Sequence, residues 1–162
     1  MKTIIGTKQD VVKKLTALVA DVLARKPEAN IAVSAVDLPA EVLDALAASD
    51  IAFDKAKLFQ ACEYCGAAGK GAHAVGAAFS PLMAAKPFAA VHAPDPDADA
   101  EHAADYDAAI QAAGGLDLVI LGLGERGHVA FNEPGAGFGE KTHIAKLAEV
   151  TREAAAPAFG SL

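Results

Sequence analysis

The run Leu116-Asp117-Leu118-Val119-Ile120-Leu121-Gly122-Leu123 constrains this chain more than any other segment. Six of its eight residues are bulky aliphatics, and glycine flanks it on each side. Such a run reads as a strand buried on both faces, which needs helices to cover it. The sequence before it supplies them in alternation. Thr7 to Arg25 is an amphipathic helix: Thr7 caps it, Asp10 follows three residues on, and Val11, Val12, Leu15, Leu18, Val19, Val22 and Leu23 form one stripe. Lys26-Pro27 ends it. Ile31–Val36 is a strand, about Pro39 to Ala48 a helix, and about Lys57 to Ala61 a second strand. Gly66 to Ala78 reads as a loop with a weak helix, Ser80-Pro81 as a new helix start, and Phe88 to Ala93 as a third buried strand. After a turn rich in Pro and Asp, a helix runs to Ala113, where Gly114-Gly115 stops it. Strand and helix alternation predicts an α/β class with a parallel sheet, in one domain over residues 1–162.

Composition narrows the function classes. The net charge of −7 argues against a nucleic-acid or anionic-lipid surface. No apolar run approaches the ~20 residues of a membrane helix, and Met1–Gly6 is too short for a signal peptide. Two cysteines make no disulfide scaffold, so the expectation is a cytoplasmic protein with no nucleic-acid or membrane partner. About a quarter of the residues are alanine, so the core is built from small side chains.

Gly122, Gly124 and Gly127 fit G-x-G-x-x-G after a strand, the start of a dinucleotide fingerprint. Pro134 forbids the long helix that fingerprint needs, and Gly69-Lys70 lacks the other residues of a phosphate loop, so no cofactor is expected. His128 and Glu133 lie just past the last strand, where open α/β sheets form their ligand crevice. A carboxylate near an imidazole fixes its tautomer and suits proton transfer. A loop histidine pinned by a neighbouring acid accounts for the same spacing.

The segment Leu121-Gly122-Leu123-Gly124-Glu125-Arg126-Gly127-His128-Val129-Ala130-Phe131-Asn132-Glu133-Pro134-Gly135 closely resembles the signature of glucosamine-6-phosphate deaminases, also called isomerases. The likeness extends back through Gly114–Asp117 and on through Lys141-Thr142-His143 and Leu147 to Thr151-Arg152. Glu63-Tyr64 with Gly66 is similar to the family's Asp-Glu-Tyr-x-Gly segment. The related 6-phosphogluconolactonases share Gly-x-Gly-x-x-Gly-His but lack the Phe-Asn-Glu-Pro continuation. The resemblance implies a Rossmann-like three-layer fold, shortened here at the C-terminus, and a small-molecule sugar or sugar phosphate as partner.

It also implies chemistry. Family members open an amino-sugar phosphate ring, move a proton between C2 and C1, and expel ammonia. By resemblance His128 is the ring-opening acid/base and Glu133 its partner, with Gly122, Gly124, Gly127 and Glu63 at the substrate. The departures are as specific as the matches. Cys62 stands where the family's proton-transfer Asp belongs, and Arg126 where it has an acid or amide. The phosphate loop after the first strand is Ala35-Val36-Asp37-Leu38-Pro39, without glycines, and Asp37 adds a negative charge whose simplest role is to cap the next helix. The position of a family arginine is about Pro157. The expectation is therefore an isomerase/deaminase-like protein whose activity is reduced, altered or lost. A non-catalytic sugar-binding or subunit-type protein on the same fold is the alternative.

A third reading starts from Cys62-Glu63-Tyr64-Cys65, a C-x-x-C pair ending a strand. It could be redox-active, or half a metal site completed by His128 or His73. Two thiols buried or half-buried in the fold are the plainer account, and no metal is expected. His73, His92, His102 and His143 have no partner pattern and read as solvated, and Asp95, Asp97, Asp99, Glu101 and Asp105 as a solvated helix start. An uncovered sheet edge would be masked by a homo-oligomer.

Overall fold

The computed structural model describes residues 3–66 and 74–159. Ten elements follow in the order α1 (Lys8–Arg25), β1 (Asn30–Val33), α2 (Ala40–Ala48), β2 (Lys57–Gln60), α3 (Ala74–Ala77), α4 (Ser80–Ala85), β3 (Ala90–His92), α5 (Ala103–Ala112), β4 (Leu118–Ile120) and α6 (Glu149–Phe159). The four strands form one parallel sheet in the order β3-β2-β1-β4. The expected α/β class with a parallel sheet is what the chain adopts.

Local chemistry explains the boundaries. Thr7 and Asp10 close a reciprocal capping box, with Asp10 N–H donating to Thr7 Oγ1 at 3.2 Å and Thr7 N–H to Asp10 Oδ2 at 3.0 Å. At the far end of α5, Gly114 and Gly115 have φ of +95° and +87°, which lets their N–H groups turn back onto the carbonyls of Gln111 and Ile110. Gly69, Lys70 and His73 lie outside the described residues; of the expected weak helix in that stretch, α3 is the described part.

Topology sets where a site can form. The β1-α2-β2 and β2-α4-β3 crossovers both step one way along the sheet, so right-handed connections place α2 and α4 on one face. The β3-α5-β4 crossover returns past β2 and β1, which puts α5 on the other face. The gap between the C-terminal ends of β1 and β4 is therefore the topological switch point.

The two faces are covered unequally. Ile31, Val33, Leu58 and Ile120 pack with Val19 and Leu23 of α1, Val42 and Leu46 of α2 and Leu82 of α4 in the main core. On the α5 face Phe59 is fully buried, stacked on His92 at 4.4 Å and edge-on to Tyr106 at 6.3 Å. Beyond Phe59 this face thins out. Val119 is 47% exposed and Leu121 44%, so the Leu116–Leu123 run forms only a three-residue edge strand and is not buried on both faces as its composition predicts. The third strand likewise shrinks to Ala90–His92, half-buried at the opposite edge. Apolar content alone does not tell a covered face from an open one. No helix of the described residues is long and apolar enough to cross a membrane.

Asn30 couples the start of the sheet to the end of α5. Its buried Nδ2 donates to Ala113 O at 2.8 Å and to Gly115 O at 2.6 Å, while its N–H donates to Asp117 Oδ2 at 2.9 Å. Asp117 also takes Lys26 Nζ at 2.8 Å, which holds its carboxyl below the usual range. Removing the amide strands two helix-end carbonyls. Asn30→Ala is expected to cost about 1–3 kcal/mol in urea unfolding, against a few tenths for a surface Asn.

Candidate active site

The C-terminal ends of β2 and β3, α5 and the segment around residues 140–147 enclose a crevice of about 1190 Å³. Cys62, Glu63 and Tyr64 line it from β2, Tyr106 from α5, and Ala130 to Asn132 from the segment after β4. Tyr106 fixes the floor: its hydroxyl donates to Gln60 O at 2.7 Å and His92 O at 3.2 Å. That hydroxyl was not singled out in the sequence. Burial pushes it well above the usual phenol range.

The segment after β4 is a series of tight turns, not a helix. Leu123 and Val129 face each other in an antiparallel bridge, Gly127 N–H returns to Gly124 O at 2.9 Å, and Gly127 needs its φ of +82° for that turn. Two other glycines act through their missing β-carbons. One at Gly122 would overlap the backbone of Val36 and Asp37, and one at Gly124 would overlap the His128 ring. The signature glycines thus let the loops after β1 and β4 meet at the switch point.

What meets there departs from expectation. His128 Nε2 lies 2.5 Å from Asp37 Oδ2. Asp37 does not cap α2; Pro39 occupies the cap position without a side-chain bond. Ser34 Oγ accepts Val36 N–H at 3.2 Å, the chain turns, and Asp37 adopts φ +54°, a left-handed conformation that aspartate tolerates better than most residues. This turn carries the carboxylate away from the helix and over to β4.

Glu133 is not hydrogen-bonded to His128. Its Oε1 accepts Thr151 Oγ1–H at 2.6 Å and Ala148 N–H at 3.1 Å, so it sits at the N-terminus of α6, where a negative charge is favoured. Arg126 faces Glu133 at 3.6 Å. The Thr151 hydroxyl, then the Ala148 amide and Arg126, hold the Glu133 carboxyl below the usual range.

Cys62 is buried in the crevice wall with its Sγ 3.5 Å from Ser34 Oγ, and burial pushes its thiol up to about 11. Cys65 is exposed, and both cysteines are free. Glu63 accepts from Gln60 Nε2 and from the N–H groups of Tyr64, Val75 and Gly76, at 2.9 to 3.0 Å, so its carboxylate organises the start of α3. Among the described residues no three His, Cys, Asp or Glu side chains are grouped to hold a metal ion. His92 is stacked and half-buried, not solvated. His102 stays exposed and pairs with Asp99 at 2.7 Å, and His143 pairs with Glu140 at 3.1 Å. Asp95 and Asp99 turn their carboxylates onto N–H groups of the turns that precede α5.

These features define an α/β protein with a ligand crevice at the carboxyl ends of parallel strands. Residues 6–155 match the family model described as glucosamine-6-phosphate isomerases/6-phosphogluconolactonase, and the chain belongs to that family. A glucosamine-6-phosphate deaminase of Pseudarthrobacter chlorophenolicus is 36% identical over 98% of this chain and 64% of its own length. One of Beutenbergia cavernae is 38% identical over 89% of the chain and 60% of its own. The chain thus spans about three fifths of the length of these relatives. Among solved structures, a monomeric glucosamine-6-phosphate deaminase superposes with a TM-score of 0.79 at 24% identity, covering 99% of this chain and 71% of that one. A 6-phosphogluconolactonase from Shewanella baltica OS155 superposes with 0.53 at 17%, covering 75% and 54%. Both establish the fold.

The Glu133 contacts generate a pH prediction. A carboxyl whose folded pKa is depressed contributes stability above the ordinary glutamate range and loses it as pH falls through the folded value. Glu133→Gln is expected to destabilise the protein by about 1–3 kcal/mol at pH 7. In urea titrations the gap to the unsubstituted protein should close progressively below about pH 4. A gap independent of pH would show that the charge contributes nothing.

Proposed function

We propose that this chain is an amino-sugar phosphate isomerase/deaminase-type protein of reduced activity, acting by proton transfer at the carboxyl ends of the parallel strands. The observation that carries this reading is the placement of the 121–135 signature: it brings His128 to the switch point, while Ala130, Phe131 and Asn132 of the same segment wall the crevice. The naming of its relatives supports the substrate class. In this reading the Gly124–Gly127 turn presents backbone to the sugar, and the protein works in the cytoplasm. Reduced activity follows from position 62. A thiol held near 11 is protonated at neutral pH and takes no proton from carbon.

That same thiol favours a second reading, a sugar-binding protein that does no chemistry. It disfavours the redox one, because a reactive cysteine needs its pKa lowered. Ammonia release from glucosamine 6-phosphate separates the first two. We expect slow turnover, raised at least about tenfold by Cys62→Asp, since a positioned general base is worth 10²–10⁴ in rate. A thermal shift with the sugar phosphate but no turnover in either protein would select the binding reading. No shift and no turnover would remove both.

The expected homo-oligomer belongs here too. A second copy covering the open β4 edge, with Val119 and Leu121 exposed, would appear as a dimer in light scattering at micromolar concentration, and a monomer would overturn it.

A further inference from the structure

The walls of the crevice are oppositely charged. Asp95, Asp97, Asp99 and Asp105 line it from the turn before α5 and the start of that helix. Lys141, Lys146 and Arg152 line it from the segment that runs into α6 and from the start of α6 itself. On the acidic wall one cation, His102, pairs with Asp99 at 2.7 Å. The basic wall holds one acid, Glu140, and His143 takes it at 3.1 Å. Among the described residues Lys141, Lys146 and Arg152 form no ion pair.

These cations sit on backbone that is pinned at two points. Thr142 donates through its N–H and its hydroxyl to Asp107 of α5, at 3.1 and 2.9 Å. Ala148 N–H and Thr151 Oγ1–H close on Glu133 at 3.1 and 2.6 Å. Lys141 adjoins the first anchor, Arg152 the second, and Lys146 lies between them. A backbone fixed before the ligand arrives loses less freedom on binding.

The strand ends meet the opposite wall. Gly66 N–H donates to Pro96 O at 3.1 Å, so the segment carrying Cys62, Glu63 and Tyr64 abuts the acidic turn. An amino-sugar phosphate is polar in the same sense, with a basic amine beside the reacting carbon and a phosphate at the far end of the chain. Laid across the crevice, its amine faces the aspartates and its phosphate the free cations. The loop after β1 offers an anion nothing comparable. None of residues 35–39 lines the crevice, and the one charged side chain among them is Asp37.

We propose that Lys141, Lys146 and Arg152 form the anion subsite of this crevice and hold the ligand's phosphate. The inference rests on the amino-sugar phosphate reading above. Arg152 can present two N–H groups to phosphate oxygens, and the lysines act as point charges on long stems. All three side chains are exposed and free to close on the group.

Calorimetric titration of the full chain with glucosamine 6-phosphate, glucose 6-phosphate and glucosamine tests this. Lys141→Gln, Lys146→Gln and Arg152→Gln should each weaken both phosphates about tenfold, the scale of a hydrogen bond to a charged group. Glucosamine, which lacks the phosphate, should stay within about twofold in the same variants. The substituted side chains are exposed, so the fold stands, checked by an unchanged melting profile. Lys14→Gln removes the same charge from the exposed face of α1 and should leave every affinity within about twofold. Losses below about threefold in all three crevice variants overturn the proposal, as do equal losses for glucosamine or in Lys14→Gln. Phosphate binding that ignores the crevice variants but tightens more than about tenfold in Asp37→Asn would put the anion at the loop after β1. That result overturns the subsite and leaves the amino-sugar phosphate reading standing. No binding of glucosamine 6-phosphate by the unsubstituted protein removes both.

Discussion

The close approach of Gly122 to the backbone of Val36 and Asp37 is the contact on which the rest of the site depends. β1 and β4 are neighbours in the sheet, with Ser34 N–H donating to Ile120 O at 2.9 Å as the last rung before the strands part. A side chain at position 122 would push the two following loops apart. Without one, the β1 loop lies against the β4 loop, and their side chains meet at the one place in this topology where the connections diverge to opposite faces. The position of the switch point follows from the crossover pattern. The meeting of Asp37 and His128 there follows from a glycine.

Magnitudes indicate why Asp37 stays in its strained turn. A left-handed conformation costs an L-residue roughly 1–2 kcal/mol, less for Asp than for most. A hydrogen bond to a charged group returns about 1.5–3 kcal/mol, and the largely covered imidazole protects it from competition with water. The interaction thus offsets the strain, whereas capping α2, at typically about 1 kcal/mol, would offer less. The same comparison applies at α6. Glu133 at the helix start gains two hydrogen bonds and the helix dipole, more than a lone contact with an imidazole could offer.

Much of this architecture is legible in the sequence, for identifiable reasons. The alternation of apolar runs with amphipathic segments marks β1, α2, β2 and α5, because each periodicity reports a local face. The Gly114-Gly115 stop and the Thr7–Asp10 box are local chemistry as well. The misreadings are of partners distant along the chain. Asp37 and His128 are 91 residues apart, and Glu133 and Thr151 18 apart. A residue three places from a helix start looks like a cap until the fold offers a better partner. The run Leu116–Leu123 shows the complementary limit: its composition is the same whether its second face is covered or open. The signature placed His128 correctly beyond the last strand, but spacing made Glu133 its partner when the bond goes to a residue from another loop.

Positions 37 and 62 are best understood together. They lie at the ends of adjacent parallel strands, bridged by Ser34, and each is within electrostatic reach of the other. Two carboxylates at such positions would repel, and in a partly buried site one of them would be forced toward its protonated form. A thiol at Cys62 removes that conflict. It is small, it tolerates burial, and it remains neutral beside the charge of Asp37.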